Sequence, residues 1–134
     1  MSYSNNPTSI LAGVGITIIP TAGVGANVVT VGASGINPVA VRIAVATPVT
    51  VSAVTDEVIS VQVPGPVPVV VNLPPGQAGQ TFTIKDGLGL ASNPNDITIT
   101  PAGADTIDGA PTATINSPFG SLSLVNDGSQ WILI

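Results

Sequence analysis

More than a third of this 134-residue chain is β-branched: 19 Val, 14 Ile and 14 Thr. Such side chains are stiff at χ1 and fit a pleated sheet better than a helix. Long-chain helix formers are scarce, with seven Leu, four Gln and one each of Met, Lys, Arg and Glu. The 15 Gly and 13 Pro are spread along the whole length and punctuate strands or block helices. An all-β fold follows, and turn signals every ten residues or so suit an antiparallel β-sandwich or a jelly-roll-like domain with short strands.

Charge narrows the chemistry. Only 7% of residues are charged, the net charge is −5, and Arg42 and Lys85 are the only cations. A nucleic-acid binder needs a row of phosphate-neutralising cations, and an anionic membrane needs a basic patch, so neither partner is expected. With no Cys and no His, thiol chemistry, zinc sites and imidazole catalysis are absent as well. No run of eighteen apolar residues occurs, and the polar start Met1-Ser-Tyr-Ser-Asn-Asn-Pro-Thr8 is no signal peptide. Synthesis in a cytoplasm is expected.

Three regions are expected. Residues 1–12 read as an extended N-terminal arm, and residues 13–47 as a small β-rich docking region with candidate strands over 16–19, 27–31 and 39–45. Residues 48–134 read as a C-terminal β domain. Within 39–45, Val39, Val41, Ile43 and Val45 share one face and Ala40, Arg42 and Ala44 the other. Further on, Val49, Val51 and Ala53 alternate with polar residues, as do Ile59, Val61 and Val63. Val67, Val69 and Val71 follow with Pro68 among them, which predicts a strand at an edge or beside a bulge, because proline cannot donate to a ladder. Strands are expected over 81–85, 97–100, 122–125 and 131–134. Asp108-Gly109 is a hairpin-type pair, and Asn126-Asp-Gly-Ser129 predicts a tight terminal hairpin.

Few residues offer chemistry. Asp56 and Glu57 are adjacent, so on a strand they point to opposite faces and cannot flank one bond as a glycosidase pair does. They read as a solvated turn. Asp105 and Asp108 before Gly109 read as turn formers rather than a calcium loop. Ser and Thr have no base to activate them. Trp131 and Phe119, two of four aromatics, read as core or interface anchors rather than sugar-stacking platforms. No enzyme, no catalytic or metal-binding residue and no cofactor is expected.

Residues 50–134 resemble a small β domain found at the C-terminal end of tailed-bacteriophage virion proteins, including fibre and head-decoration proteins. The resemblance is carried in order by Thr55-Asp-Glu-Val-Ile59, Val69-Val-Val-Asn-Leu-Pro-Pro75, Phe82-Thr-Ile-Lys-Asp-Gly87 and Ile97-Thr-Ile-Thr-Pro101. It continues through Asp105-Thr-Ile-Asp-Gly109, Ile115, Gly120-Ser-Leu-Ser-Leu-Val125, Asp127-Gly128 and Trp131. The connection Asn93-Pro-Asn-Asp96 looks slightly longer than usual, and residues 1–48 lie outside the resemblance. It implies a virion part, often a homotrimer. High apolar content with few charges points the same way, since symmetric assembly covers apolar surface.

The expected function is therefore a homotrimeric capsid decoration (cement) protein on the exterior of the virion, with the major capsid protein as partner. Docking is expected through Asn5, Pro7, Ile10, Leu11, Val39 and Val41. Val61, Val63, Val69, Val71, Ile97, Ile99, Phe119 and Trp131 are expected to form the core or the trimer seam. A short head- or tail-fibre tip recognising a host-surface glycan is the alternative. A secreted surface protein using threonine rows such as Thr98 and Thr100 ranks third, for want of a secretion signal.

Overall fold

The structure, a computed structural model, describes residues 38–134. The arm, the expected docking residues Asn5, Pro7, Ile10 and Leu11, and the candidate strands at 16–19 and 27–31 lie outside the described residues.

Every regular element described is a strand: β1 (Val41–Ala44), β2 (Val49–Thr50), β3 (Val58–Val61), β4 (Val69–Asn72), β5 (Thr81–Asp86), β6 (Ile97–Thr100), β7 (Ala113–Ile115), β8 (Ser121–Asn126) and β9 (Trp131–Leu133). They form two sheets, one ordered β1-β3-β5-β8-β9 and the other β2-β4-β6-β7. We call these sheet A and sheet B.

The fold is all-β, but the pairing is mixed rather than wholly antiparallel. β1, β3 and β5 pair in parallel, as do β2, β4 and β6. The reason lies in the order of crossings. Each of the first five strands is followed by a strand of the opposite sheet, so the chain returns to the first sheet in its original direction. Parallel neighbours need such a long crossover, and here the crossover is itself a strand. Only from β6 onward do antiparallel pairs appear, β6 with β7 and then β5-β8-β9.

The alternating residues face one shared core. Val49, Val71 and Ile99 lie in one row of sheet B, and Val69, Ile97 and Ile115 in the next. They meet Ile59, Ile84, Phe82, Leu124 and Trp131 of sheet A. Each fully buried side chain of this size contributes about 1.5–3 kcal/mol. Trp131 is completely buried, its ring tilted 37° against Phe82 with centroids 5.5 Å apart.

Three expectations shift. The strand expected in the docking region is β1, an integral part of sheet A, so the compact unit begins at Val39 rather than at residue 48. The strand expected at an edge or beside a bulge because of Pro68 is β4, which lies between β2 and β6. Pro68 comes just before its first paired residue and so removes no ladder bond. Asp56 is buried, not a solvated corner; only Glu57 is exposed.

The terminal hairpin forms as expected, β8 turning through residues 127–130 into β9. Asp127 Oδ1 accepts bonds from the Ser129 and Gln130 backbone and from Ser129 Oγ. At the other pair, Asp108 and Gly109 both have positive φ, 48° and 77°, between bridged Ile107 and Ala110. That is the geometry of a two-residue primed turn, for which Asp-Gly is suited.

Candidate functional site

Two exposed features stand out, the open edge of sheet A and an aromatic corner at one end of the sandwich.

The edge is β1. Ala40 O accepts Val58 N at 3.0 Å and Ala44 O accepts Gln62 N at 2.7 Å. The backbone groups of Ala40, Arg42 and Ala44 therefore face β3. Those of Val41 and Ile43 point the other way, where no described strand lies. The same alternation sends the side chains of Val39, Val41, Ile43 and Val45 outward, each 58–64% exposed. Ala44 is buried and Arg42 half-buried on the inner face. The face that the sequence pattern marks as apolar is thus the exposed one.

What turns β1 this way round is an ion pair. Arg42 Nε donates to Asp56 Oδ1 at 2.9 Å and Nη2 to Asp56 Oδ2 at 2.8 Å, a bidentate fork. Nη2 also reaches Thr50 O at 2.9 Å, and Ser52 N donates to Asp56 Oδ2 at 2.8 Å. The guanidinium thereby clasps β1 of sheet A to β2 of sheet B. Inverting β1 would break this clasp and leave the Asp56 carboxylate buried and unpaired.

The corner is built around Asp86, the last residue of β5, which is 2% exposed. Its Oδ1 accepts Leu88 N and Gly89 N at 3.2 and 3.0 Å, and its Oδ2 accepts Ala91 N and Phe119 N at 2.9 and 3.1 Å. Burial alone would raise this carboxyl, but the backbone bonds from Ala91, Phe119 and the Leu88–Leu90 segment outweigh it and hold the group below the usual carboxylate range. One carboxylate thus fixes two loops. Phe119 has φ +58°, a conformation rare for a bulky side chain, and the residue is 61% exposed. A Cβ at Gly89 would come within 2.5 Å of the Phe119 ring, and the φ of +72° at Gly89 favours glycine there. Lys85 Nζ donates to Phe119 O and sits 5.8 Å from the ring centroid. Leu88 and Leu90 are also exposed.

The expected core or seam residues therefore divide. Val61, Val69, Val71, Ile97, Ile99 and Trp131 are buried within one chain, and Val63 packs half-buried against them. Their burial in a single copy makes them core, not seam. Phe119 is the exception and lies outside the core. Of the expected docking residues, Val39 and Val41 are exposed on the open edge. The aromatic corner escapes sequence reasoning because the Asp86 bonds that build it span up to 33 residues; the one local signal is Phe119 flanked by Pro118 and Gly120.

Other carboxylates hold backbone N–H groups. Asp105 Oδ2 accepts Gly76 N at 3.2 Å and Asp108 Oδ1 accepts Leu133 N at 3.3 Å. The exposed Asp127 carboxyl is held low by the Gln130 and Ser129 backbone bonds. No protein-family model matches the chain, and no curated protein matches it.

Proposed function

We propose that this chain is a non-enzymatic structural protein of a bacteriophage virion, a homotrimeric decoration protein that docks on the exterior of the head shell and strengthens it by burying apolar surface. The observation that carries this is the β1 edge, open among the described residues, with Val39, Val41, Ile43 and Val45 exposed side by side. Natural sheets protect such edges with charge, proline or a covering segment, because a bare apolar edge invites association. A row of this kind serves a protein whose purpose is to be covered by another, here the major capsid protein. The ordered resemblance of residues 50–134 to virion domains supports the same assignment.

Docking by apolar burial scales with area, about 25 cal/mol per Å², and is little affected by salt. A Val41→Asp, Ile43→Asp double variant added to undecorated shells tests it. The expected result is loss of binding by a protein that still folds, with wild-type binding unchanged from low to high salt. Normal binding by the variant, or wild-type binding that collapses in salt, would remove the open edge from the account.

A second assignment, a short head- or tail-fibre tip that recognises a host-surface glycan, draws on a different observation, the exposed ring of Phe119. An exposed aromatic can stack on a sugar. Loss of binding to host cells on replacing Phe119, with shell docking intact, would favour it.

A further inference from the structure

We infer that the corner formed by Phe119, Leu88 and Leu90 is the surface on which copies of this chain meet, with Phe119 as its anchor, an inference that rests on the homotrimer proposed above.

The topology sorts the loops into two ends. Residues 45–48, 62–68, 87–96 and 116–120 lie at one end of the sandwich, because β1, β3 and β5 run in parallel toward it and β7 returns to it. Val45, Val67, Leu88, Leu90 and Phe119 are exposed there. The carboxylates at this end are Asp86, which is buried, and Asp96, which is half-buried. Residues 51–57, 73–80, 101–112 and 127–130 lie at the other end, with the exposed carboxylates Glu57, Asp108 and Asp127 and half-buried Asp105.

A chain of net charge −5 repels its own copies wherever exposed carboxylates face each other. Of the two ends, only the apolar one can meet itself without facing exposed carboxylates, and its cation Lys85 is half-buried and bonded to the Phe119 carbonyl. In a closed threefold assembly the same residue from each copy approaches one axis, which suits a single protruding aromatic.

The corner is also set before any partner arrives. Asp86 holds the N–H groups of Leu88, Gly89, Ala91 and Phe119, Gly89 backs the ring, and Lys85 takes the Phe119 carbonyl. A pre-ordered aromatic anchor loses little freedom on association, the property of residues that dominate interfaces. A sugar platform would need hydrogen-bonding groups beside the ring. Beside it here Lys85, 5.8 Å from the ring centroid, is taken up by the Phe119 carbonyl, and the exposed Leu88 and Leu90 of the neighbouring loop are aliphatic.

The test is the mass of the full chain in solution by native mass spectrometry and light scattering across a dilution series. Two variants accompany the wild type, Phe119→Asn and Leu88→Ser. Asn tolerates positive φ, so it removes the ring while keeping the backbone. The expected wild-type mass is that of three chains, with both variants dissociating at concentrations at least about tenfold higher. Variants that stay trimeric at wild-type dilutions overturn the inference alone, as does a trimeric Phe119→Asn protein that loses binding to host-surface polysaccharide. A monomeric wild type overturns the homotrimer proposal and this inference together.

Discussion

The two edges of sheet A are finished in opposite ways. At β9 the loop around Ile107 closes the edge. Trp131 N donates to Thr106 O, Asp108 N to Trp131 O, and Leu133 N to Asp108 Oδ1. Behind that seal sit the fully buried Trp131 and Ile107. At β1 no described element takes up the outward backbone groups of Val41 and Ile43, and the side chains over them are aliphatic. Among the described residues one edge is sealed by a loop and the other is left open and apolar, which marks the open edge as a place for contact.

The first way to break this comparison is to open the closed edge. Trp131→Ala removes the largest buried side chain and its contact with Phe82, and should destabilise the domain by about 3–5 kcal/mol in denaturant unfolding. A cost below about 1 kcal/mol would mean that the seal at β9 is not what holds that side together.

Next in size is the clasp behind the bare edge. Arg42→Gln leaves the Asp56 carboxylate without its ionic partner, and should cost about 2–3 kcal/mol, discounted from the value for a fully buried pair because Arg42 is partly exposed. Hydrogen exchange should quicken first in β1 and in residues 51–57. Uniform loosening of both edges would contradict a local clasp.

The Asp86 corner gives a pH test. Its carboxyl is held below the usual range in the folded state, while an unfolded Asp titrates near 3.9. The stability it contributes is fully present above that unfolded value and is lost as pH falls through the lower folded one. Exchange protection of Leu88, Gly89, Ala91 and Phe119 should therefore fail in that acid range, and Asp86→Asn should flatten the dependence. An unchanged acid profile in Asp86→Asn would assign the acid response to other carboxylates.

The smallest effect belongs to the bare edge itself. Val41→Thr or Ile43→Thr should change folding stability by no more than about 0.5 kcal/mol, because both side chains are exposed. A large loss would mean that the row is covered within the single chain, and that the two edges are not different after all.

Much of the fold was legible in the residues. Alternation placed Val49, Ile59, Val61, Val69, Val71, Ile97 and Ile99 on inward faces, and Asp-Gly pairs placed both primed-type and terminal turns. Alternation states which face a side chain takes but not which strand lies beside it, so the parallel pairing of β1, β3 and β5 was hidden. For β1 alternation also left open which face is the inner one. That was decided by Arg42 meeting Asp56, fourteen residues away. The same non-local carboxylate bonding hid the corner, where Asp86 draws Phe119 out of an expected core and fixes it at the surface. Pro68 misled because its cost depends on whether it falls inside or just before the paired residues.

The most direct measurement is the number of copies of this chain per purified particle, by quantitative mass spectrometry against the major shell protein. For a decoration protein the expected count is comparable with that of the shell protein and divisible into trimers. A count of only a few trimers would move the chain to a vertex fibre or tail part with host binding as its task, and complete absence from particles would contradict a role in the virion.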